Sequence, residues 1–71
     1  MTTVPITTEF IKLQDLLKLA DLVSTGGEAK LRILDGEVKV NGEVCTQRGK
    51  KLRPGDIVTF KNRELTVSHA S

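Results

Sequence analysis

The dipeptide Asn41-Gly42 constrains the fold of this chain more than any other feature of the sequence. Both residue types tolerate positive φ, which a two-residue hairpin turn requires. The residues before it alternate, with Val38 and Val40 on one face of a strand and Lys39 on the other. We therefore predict a hairpin with Asn41-Gly42 at its tip, both valines in the core, and residues 43–46 as the returning strand.

Two helices are predicted before this hairpin. Residues 12–20 carry apolar side chains at i, i+3, i+4 and i+7, which is one face of a helix. Thr25 followed by Glu28 fits a capping box, in which the threonine oxygen caps an early amide and the glutamate reaches back. The second helix should therefore start just after Thr25 and run to about Leu34, with Gly36 as its C-terminal stop.

The remaining segments favour strands. Residues 6–10 are predicted as a short first strand, with residues 57–60 and 64–67 as the last two. The turns Pro54-Gly55 and Asn62-Arg63 precede those last two strands. The predicted order is β-α-α-β-β-β-β, with two helices packed on one face of a small, mostly antiparallel sheet. That order indicates an α+β fold.

Length and composition exclude several classes of protein. The 71 residues allow one domain, 1–71, with a thin core. A single cysteine, Cys45, permits no internal disulfide, and there is no Cys/His cluster with zinc-ligand spacing. No apolar run approaches membrane-spanning length, and the first ten residues do not resemble a signal peptide. We expect a cytoplasmic protein without metal, cofactor or catalytic activity; Cys45 and His69 are a coincidental pair rather than a nucleophile and base.

Positive charge is concentrated in one segment. The formal net charge is only +2, but residues 48–53 hold four basic residues and no acidic one. Such a concentration is typical of nucleic-acid-binding proteins. It is equally compatible with a hairpin that stays soluble through its charges.

Three motifs in order resemble the S4 RNA-binding domain family, also called the αL RNA-binding motif. They are Gly27-Glu28-Ala29-Lys30, then Gly36-Glu37-Val38-Lys39-Val40-Asn41-Gly42, then Arg53-Pro54-Gly55-Asp56-Ile57-Val58. With the first helix, the resemblance covers roughly residues 12–60 and is strongest to stand-alone bacterial members, the YaaA-like proteins. It implies an αL fold and RNA binding. Many family members carry arginine where this chain has Gly26, so one expected phosphate contact is missing.

The candidate RNA-binding residues follow from the charge pattern and the resemblance. Lys30 is predicted among the apolar residues of the second helix, together with Ala29, Leu31, Ile33 and Leu34, where its stem either snorkels to water or offers a phosphate contact. Arg32 is better explained as a partner of Glu28, four residues earlier. The full set of candidates is Lys18, Gly26, Gly27, Lys30, Lys39, Arg48, Lys50, Lys51 and Arg53.

The expected ligand is structured RNA, ribosomal or tRNA-like. The chain has no Trp or Tyr, and its two aromatic residues, Phe10 and Phe60, are predicted in strands of the core. Single-strand binders need exposed aromatic platforms, so a chain without them should recognise folded RNA through phosphates and shape. We expect a monomer associated with the ribosome or its precursors. The alternative is a protein-interaction adaptor that uses the same basic face on an acidic partner; a DNA-binding regulator is less compatible with a glycine-led second helix.

Overall fold

The computed structural model describes residues 2–70, which form a layer of two helices over one face of a β-sheet. The helices are α1 (Leu13–Leu19) and α2 (Gly26–Leu34). The strands are β1 (Thr2–Ile6), β2 (Ile11–Lys12), β3 (Val38–Val40), β4 (Glu43–Val44), β5 (Lys51–Leu52), β6 (Ile57–Phe60) and β7 (Arg63–His69).

The main sheet has five strands in the order β1-β7-β6-β3-β4. Strand β1 runs parallel to β7, and every other pairing in it is antiparallel. Strands β2 and β5 form a separate antiparallel ladder of two residues each. The prediction of an α+β fold with a mostly antiparallel sheet is confirmed. The observed order adds two short strands, β2 and β5, to the predicted one.

The core lies between the helices and the sheet. Val38 and Val40 are buried there, together with Leu16 and Leu17 of α1 and Ile33 of α2. The burial of both valines confirms the predicted register of the hairpin. Since the side chains of a strand alternate, Lys39, the exposed residue between these valines, projects from the opposite face of the sheet.

The turn between β3 and β4 has the predicted conformation. Asn41 has φ of 51° and Gly42 has φ of 88°, as a type I′ turn requires at both central positions. Gly36, just beyond α2, has φ of 77° and ends the helix as expected. These three residues set the direction in which the chain leaves α2 and enters the hairpin.

The prediction of the first strand was wrong in position. Residues 7–9 form a bend, and the strand occupies Thr2–Ile6 instead, where Val4 and Ile6 alternate into the core. Pro5 disfavours a strand in the sequence, but β1 is at the edge of the sheet, where the missing amide of proline breaks no ladder bond. Phe10 is accordingly half-buried and outside any strand, whereas Phe60 lies in β6 and is buried as predicted.

The apolar arc of α2 is narrower than the sequence indicated. Ala29 and Ile33, four residues apart, face the core, but Leu31 and Leu34 are 63% and 54% exposed. A helix of nine residues lying flat on a small core buries only one narrow stripe. The last turn is also shifted by one residue: it is centred on residues 61–62, and residue 63 already belongs to β7.

Candidate nucleic-acid interface

The basic segment 48–51 is fixed by backbone hydrogen bonds to the start of α1. The amide of Leu13 donates to the carbonyl oxygen of Lys50 at 2.9 Å, and the amide of Gln14 donates to that of Arg48 at 3.1 Å. The first amides of a helix have no partner within the helix, so these two carbonyls fill vacant positions. The side chains of Arg48 and Lys50 remain exposed. The segment for which the sequence predicted only a loop therefore has a hydrogen-bonded backbone and exposed basic side chains.

Lys51 continues this segment into the two-stranded ladder. It lies directly opposite Lys12 in the register of β2 and β5, and both side chains are exposed. The Nζ atom of Lys51 also lies 4.9 Å from the centre of the Phe10 ring, which is a cation–π distance. Lys12 was not among the predicted contacts. The sequence placed it in α1, and no local pattern indicates a pairing with a residue so distant along the chain.

A second group of candidates lies at the start of α2. The Thr25 hydroxyl accepts a hydrogen bond from the Glu28 amide at 3.1 Å, and the Glu28 carboxylate accepts one from the Ser24 amide at 2.7 Å. The predicted capping pair is therefore present. The amides of Gly26 and Gly27 have no acceptor among residues 2–70, and both glycines are exposed.

Lys18 lies next to this helix start. A Cβ atom added to Gly26 would be 3.9 Å from the Nζ of Lys18. The same Nζ is 3.5 Å from a carboxylate oxygen of Asp15, one turn earlier in α1, in an exposed ion pair. Helix α1 therefore holds the basic segment at its first residues and Lys18 in its last turn. At 1.5 Å per residue, these two points are about 8 Å apart along the axis.

Lys30 and Arg32 differ in their partners. Lys30 is exposed and makes no ion pair with any residue from 2 to 70. Leu34, its predicted apolar neighbour on α2, is exposed as well, so Lys30 does not lie among buried side chains. Packing in the core therefore gives no reason for a lysine at this position. Arg32 contacts Glu37 at 3.2 Å and Glu28 at 3.9 Å. The predicted pairing with Glu28 is confirmed, and Glu37 is a second acidic partner.

The last two candidates lie on other elements. Lys39 is exposed on the outer face of the main sheet, opposite Val44 on one side and Thr59 on the other. Arg53 precedes the turn at residues 54–55, and its amide donates to the Asp56 carboxylate at 2.8 Å while its side chain stays exposed. The described contacts join neither residue to the segment 48–51. Their convergence with it on one surface stays a prediction.

Two of the sequence motifs are joined by side-chain hydrogen bonds. The Asn41 carboxamide oxygen accepts from the Ile57 amide at 2.9 Å, and its nitrogen donates to the Asp56 carboxylate at 3.2 Å. The other oxygen of that carboxylate accepts a hydrogen bond from the backbone amide of Arg53. The hairpin tip and the turn after β5 are therefore joined. The path of the chain on either side of the basic segment is set by these contacts.

Two specific chemical sites can be compared with the described part of the chain: a metal cluster and the pair Cys45 and His69. No group of three or more His, Cys, Asp or Glu side chains in residues 2–70 could hold a metal ion. Cys45 follows β4 and His69 ends β7, and two strands separate β4 from β7 in the sheet. Strand spacing alone sets them roughly 14 Å apart, too far for a nucleophile and its base. No helix in the same residues is long and apolar enough to cross a membrane.

Comparisons with known proteins point to one family. A family model described as "S4 domain" matches residues 4–68. The "Probable ribosome maturation protein RlbA" of Bacillus subtilis (strain 168) is 47% identical over 58 residues, which are 82% of each chain. The "Putative RNA-binding protein YbcJ" of Escherichia coli (strain K12) is 39% identical over 57 residues, covering 80% of this chain and 81% of that one.

A solved structure shares the fold. The solution structure of YbcJ from E. coli, described as revealing an αL motif involved in RNA binding, superimposes with a TM-score of 0.65 at 33% identity. The superposition covers 94% of this chain and 84% of that one. The match extends beyond the helices and hairpin to nearly all of the described strands.

Proposed function

The chain belongs to the S4 domain family, and from this premise we propose that it is a non-catalytic module that binds structured RNA through backbone phosphates. The proposed contacts centre on the basic segment 48–51. The start of α2 and Lys18 extend them along α1, and Lys30, Lys39 and Arg53 are further contacts predicted from the sequence.

The observation that carries the proposal is a set of exposed, unpaired cations on a backbone that is held in place. Arg48, Lys50 and Lys51 make no ion pair with any residue from 2 to 70, although the backbone around them is hydrogen bonded to α1. Because this backbone is already ordered, little backbone freedom is lost when a phosphate binds, which favours binding.

The aromatic residues favour folded RNA over a single strand. Phe60 is buried in β6, and the ring of Phe10 is half-buried with Lys51 above it. Neither offers a free face on which a base could stack, and base stacking provides much of the affinity of single-strand binders. Contacts of the kind available here go to phosphates and hydroxyls, which position the protein on a duplex region without reading much sequence.

The names of the relatives support a ribosomal RNA or its precursor as the ligand. One relative is named for ribosome maturation, and the other for RNA binding. We infer that this chain acts in the same context, as a cytoplasmic monomer that associates with ribosomal RNA during assembly.

A titration against salt tests the proposal. A fluorescent RNA hairpin with a duplex stem is titrated with protein between 50 and 200 mM KCl, beside a single strand of the same composition and a DNA duplex of equal length. If about four phosphates are neutralised, log affinity falls against log salt with a slope of roughly −3 to −4. The hairpin should bind more tightly than either competitor. Equal binding of all three, or no dependence on salt, would contradict the proposal.

A further inference from the structure

The ladder between β2 and β5 places two like charges opposite each other. Lys12 of β2 and Lys51 of β5 are direct partners in the antiparallel register, and both are exposed. We propose that this pair is a clamp for a single phosphate group, here one phosphodiester of the RNA. The ligand assignment rests on the function proposed above, but the anion site itself does not.

Burial requires lysine at neither position, because both side chains are exposed, although the Lys51 ammonium also lies over the Phe10 ring. The other pair of the ladder, Ile11 and Leu52, supplies its apolar face, with Leu52 fully buried and Ile11 packed against the core. Side chains directly opposite in such a pair have Cβ atoms about 5 Å apart, and like charges there are destabilising. A ladder of only two residue pairs contributes little stability with which to offset this repulsion. An anion between the two ammonium groups would convert repulsion into attraction on both sides.

No acidic residue of the described chain neutralises either lysine. The ion pairs among residues 2–70 involve only Lys18 and Arg32 as cations. Lys12 is also the N-cap residue of α1 and makes no capping hydrogen bond, so it lies at the helix end where a cation is least favourable. The first amides of α1 are not the anion ligands, because Leu13 and Gln14 already donate to backbone carbonyls.

Phe10 positions one half of the clamp. The Lys51 ammonium lies over its half-buried ring, which limits the directions that this long side chain can take. Lys12 has no such support and can close from the other side. A phosphate group presents oxygens in several directions, so each ammonium can donate to a different oxygen of the same group.

The chain contains a matched control for this pair. Lys61 also places its Nζ over a phenylalanine ring, 5.3 Å from the centre of Phe60. It lies in the turn between β6 and β7, outside any strand ladder, so no lysine is paired with it there. Lys61→Gln therefore removes one exposed lysine over a ring, as Lys51→Gln does, without touching a like-charge pair.

The first experiment uses inorganic pyrophosphate as the probe. Backbone amide NMR shifts of the full chain are followed during addition of sodium pyrophosphate, with sodium chloride at equal ionic strength as reference. The amides of Lys12 and Lys51 should shift along a saturating curve, while that of Lys61 should not. Lys12→Gln and Lys51→Gln should abolish the saturation, and Lys61→Gln should leave it unchanged. Shifts no larger than those with chloride, or saturation that survives both clamp variants, would overturn the proposal.

The second experiment separates the clamp from the wider function. In the hairpin titration, Lys12→Gln should reduce the salt slope by about 0.9, the value for one phosphate, and lower affinity roughly fivefold at low salt. The Lys61→Gln control should match the parent. If the parent binds the hairpin and Lys12→Gln binds equally well, the clamp is refuted while RNA binding stands. If the parent binds pyrophosphate at the pair but no RNA, RNA binding is refuted and the anion site stands.

Discussion

Asn41 donates a hydrogen bond from its carboxamide to the carboxylate of Asp56 across 3.2 Å, which joins the tip of the hairpin to the turn after β5. The two residues belong to separate motifs of the sequence, and the basic segment lies between them in the chain. Since the carboxamide oxygen of Asn41 also accepts from the Ile57 amide, one side chain bridges two parts of the backbone. The segment that carries the proposed contacts is thereby anchored after as well as before its charged residues.

Two substitutions of Asn41 distinguish the contribution of its side-chain hydrogen bonds to stability from that of its backbone conformation. Asn41→Gly keeps the positive φ without strain and removes both side-chain hydrogen bonds, so we expect a loss of about 1 kcal/mol of unfolding free energy. Asn41→Ala should lose about 1 kcal/mol more, because alanine resists the left-handed conformation. Urea unfolding followed by circular dichroism measures both. If Asn41→Gly unfolds at the same urea concentration as the parent, the bridge contributes nothing to stability.

The register of the hairpin predicts opposite outcomes for two neighbouring valines. Val40 is buried on β3, so Val40→Asp forces an unpaired carboxylate into a thin core and should unfold the domain. Val44 on β4 is 56% exposed and opposite Lys39, so Val44→Asp should keep the fold. Amide NMR dispersion distinguishes folded from unfolded protein. A folded Val40→Asp variant would be incompatible with the burial described above.

Charge reversal in the basic segment should abolish RNA binding without unfolding. In the double variant Lys50→Glu, Lys51→Glu, we expect a parent-like melting temperature, since exposed charges contribute little to stability. It should lose most of its affinity for the RNA hairpin, with a flatter salt slope. The control is Lys61→Glu, Arg63→Glu, which changes net charge equally at a turn residue and at the first residue of β7. If both double variants lose affinity equally, the effect is one of net charge and not of this segment.

Lys30 and Arg32 should respond differently to alanine. Lys30 has no acidic partner in the described chain, so Lys30→Ala should weaken RNA binding several-fold and reduce the salt slope by about 0.9. Arg32 is held by Glu28 and Glu37, so Arg32→Ala should change affinity less than Lys30→Ala while costing about 0.5 kcal/mol of stability. Fluorescence titration and thermal unfolding give the two quantities. The reverse ranking of the affinities would remove Lys30 from the interface.

Sequence patterns predicted the features that depend on neighbouring residues. The turn at Asn41-Gly42, the cap of α2 at Thr25 and the stop at Gly36 are each encoded within a few positions, and each is present. Helix boundaries followed for the same reason. The basic residues of the segment 48–51 were also recognisable, because a run of like charge is visible without a fold.

Features that depend on distant pairing were missed. Strand β1 forms because β7 lies beside it, and Pro5 lowered the strand propensity of this segment in the sequence. Lys12 became part of the candidate site only through its position opposite Lys51, which requires the register of two segments far apart in the chain. The exposure of Leu31 was missed because periodicity gives the faces of a helix but not how much of it the core can cover.

The parallel pairing of β1 with β7 has a consequence for synthesis on the ribosome. Strand β1 pairs along its whole length, from Thr2 opposite Leu65 to Ile6 opposite His69. At 5–20 residues per second, roughly sixty residues of translation separate the two strands, or about 3 to 12 seconds. During that interval the backbone of β1, which carries Val4 and Ile6, has no partner strand. The sheet is therefore completed only once β7 has left the exit tunnel, and a chain truncated before residue 63 and released would expose an unpaired, aggregation-prone edge at β6.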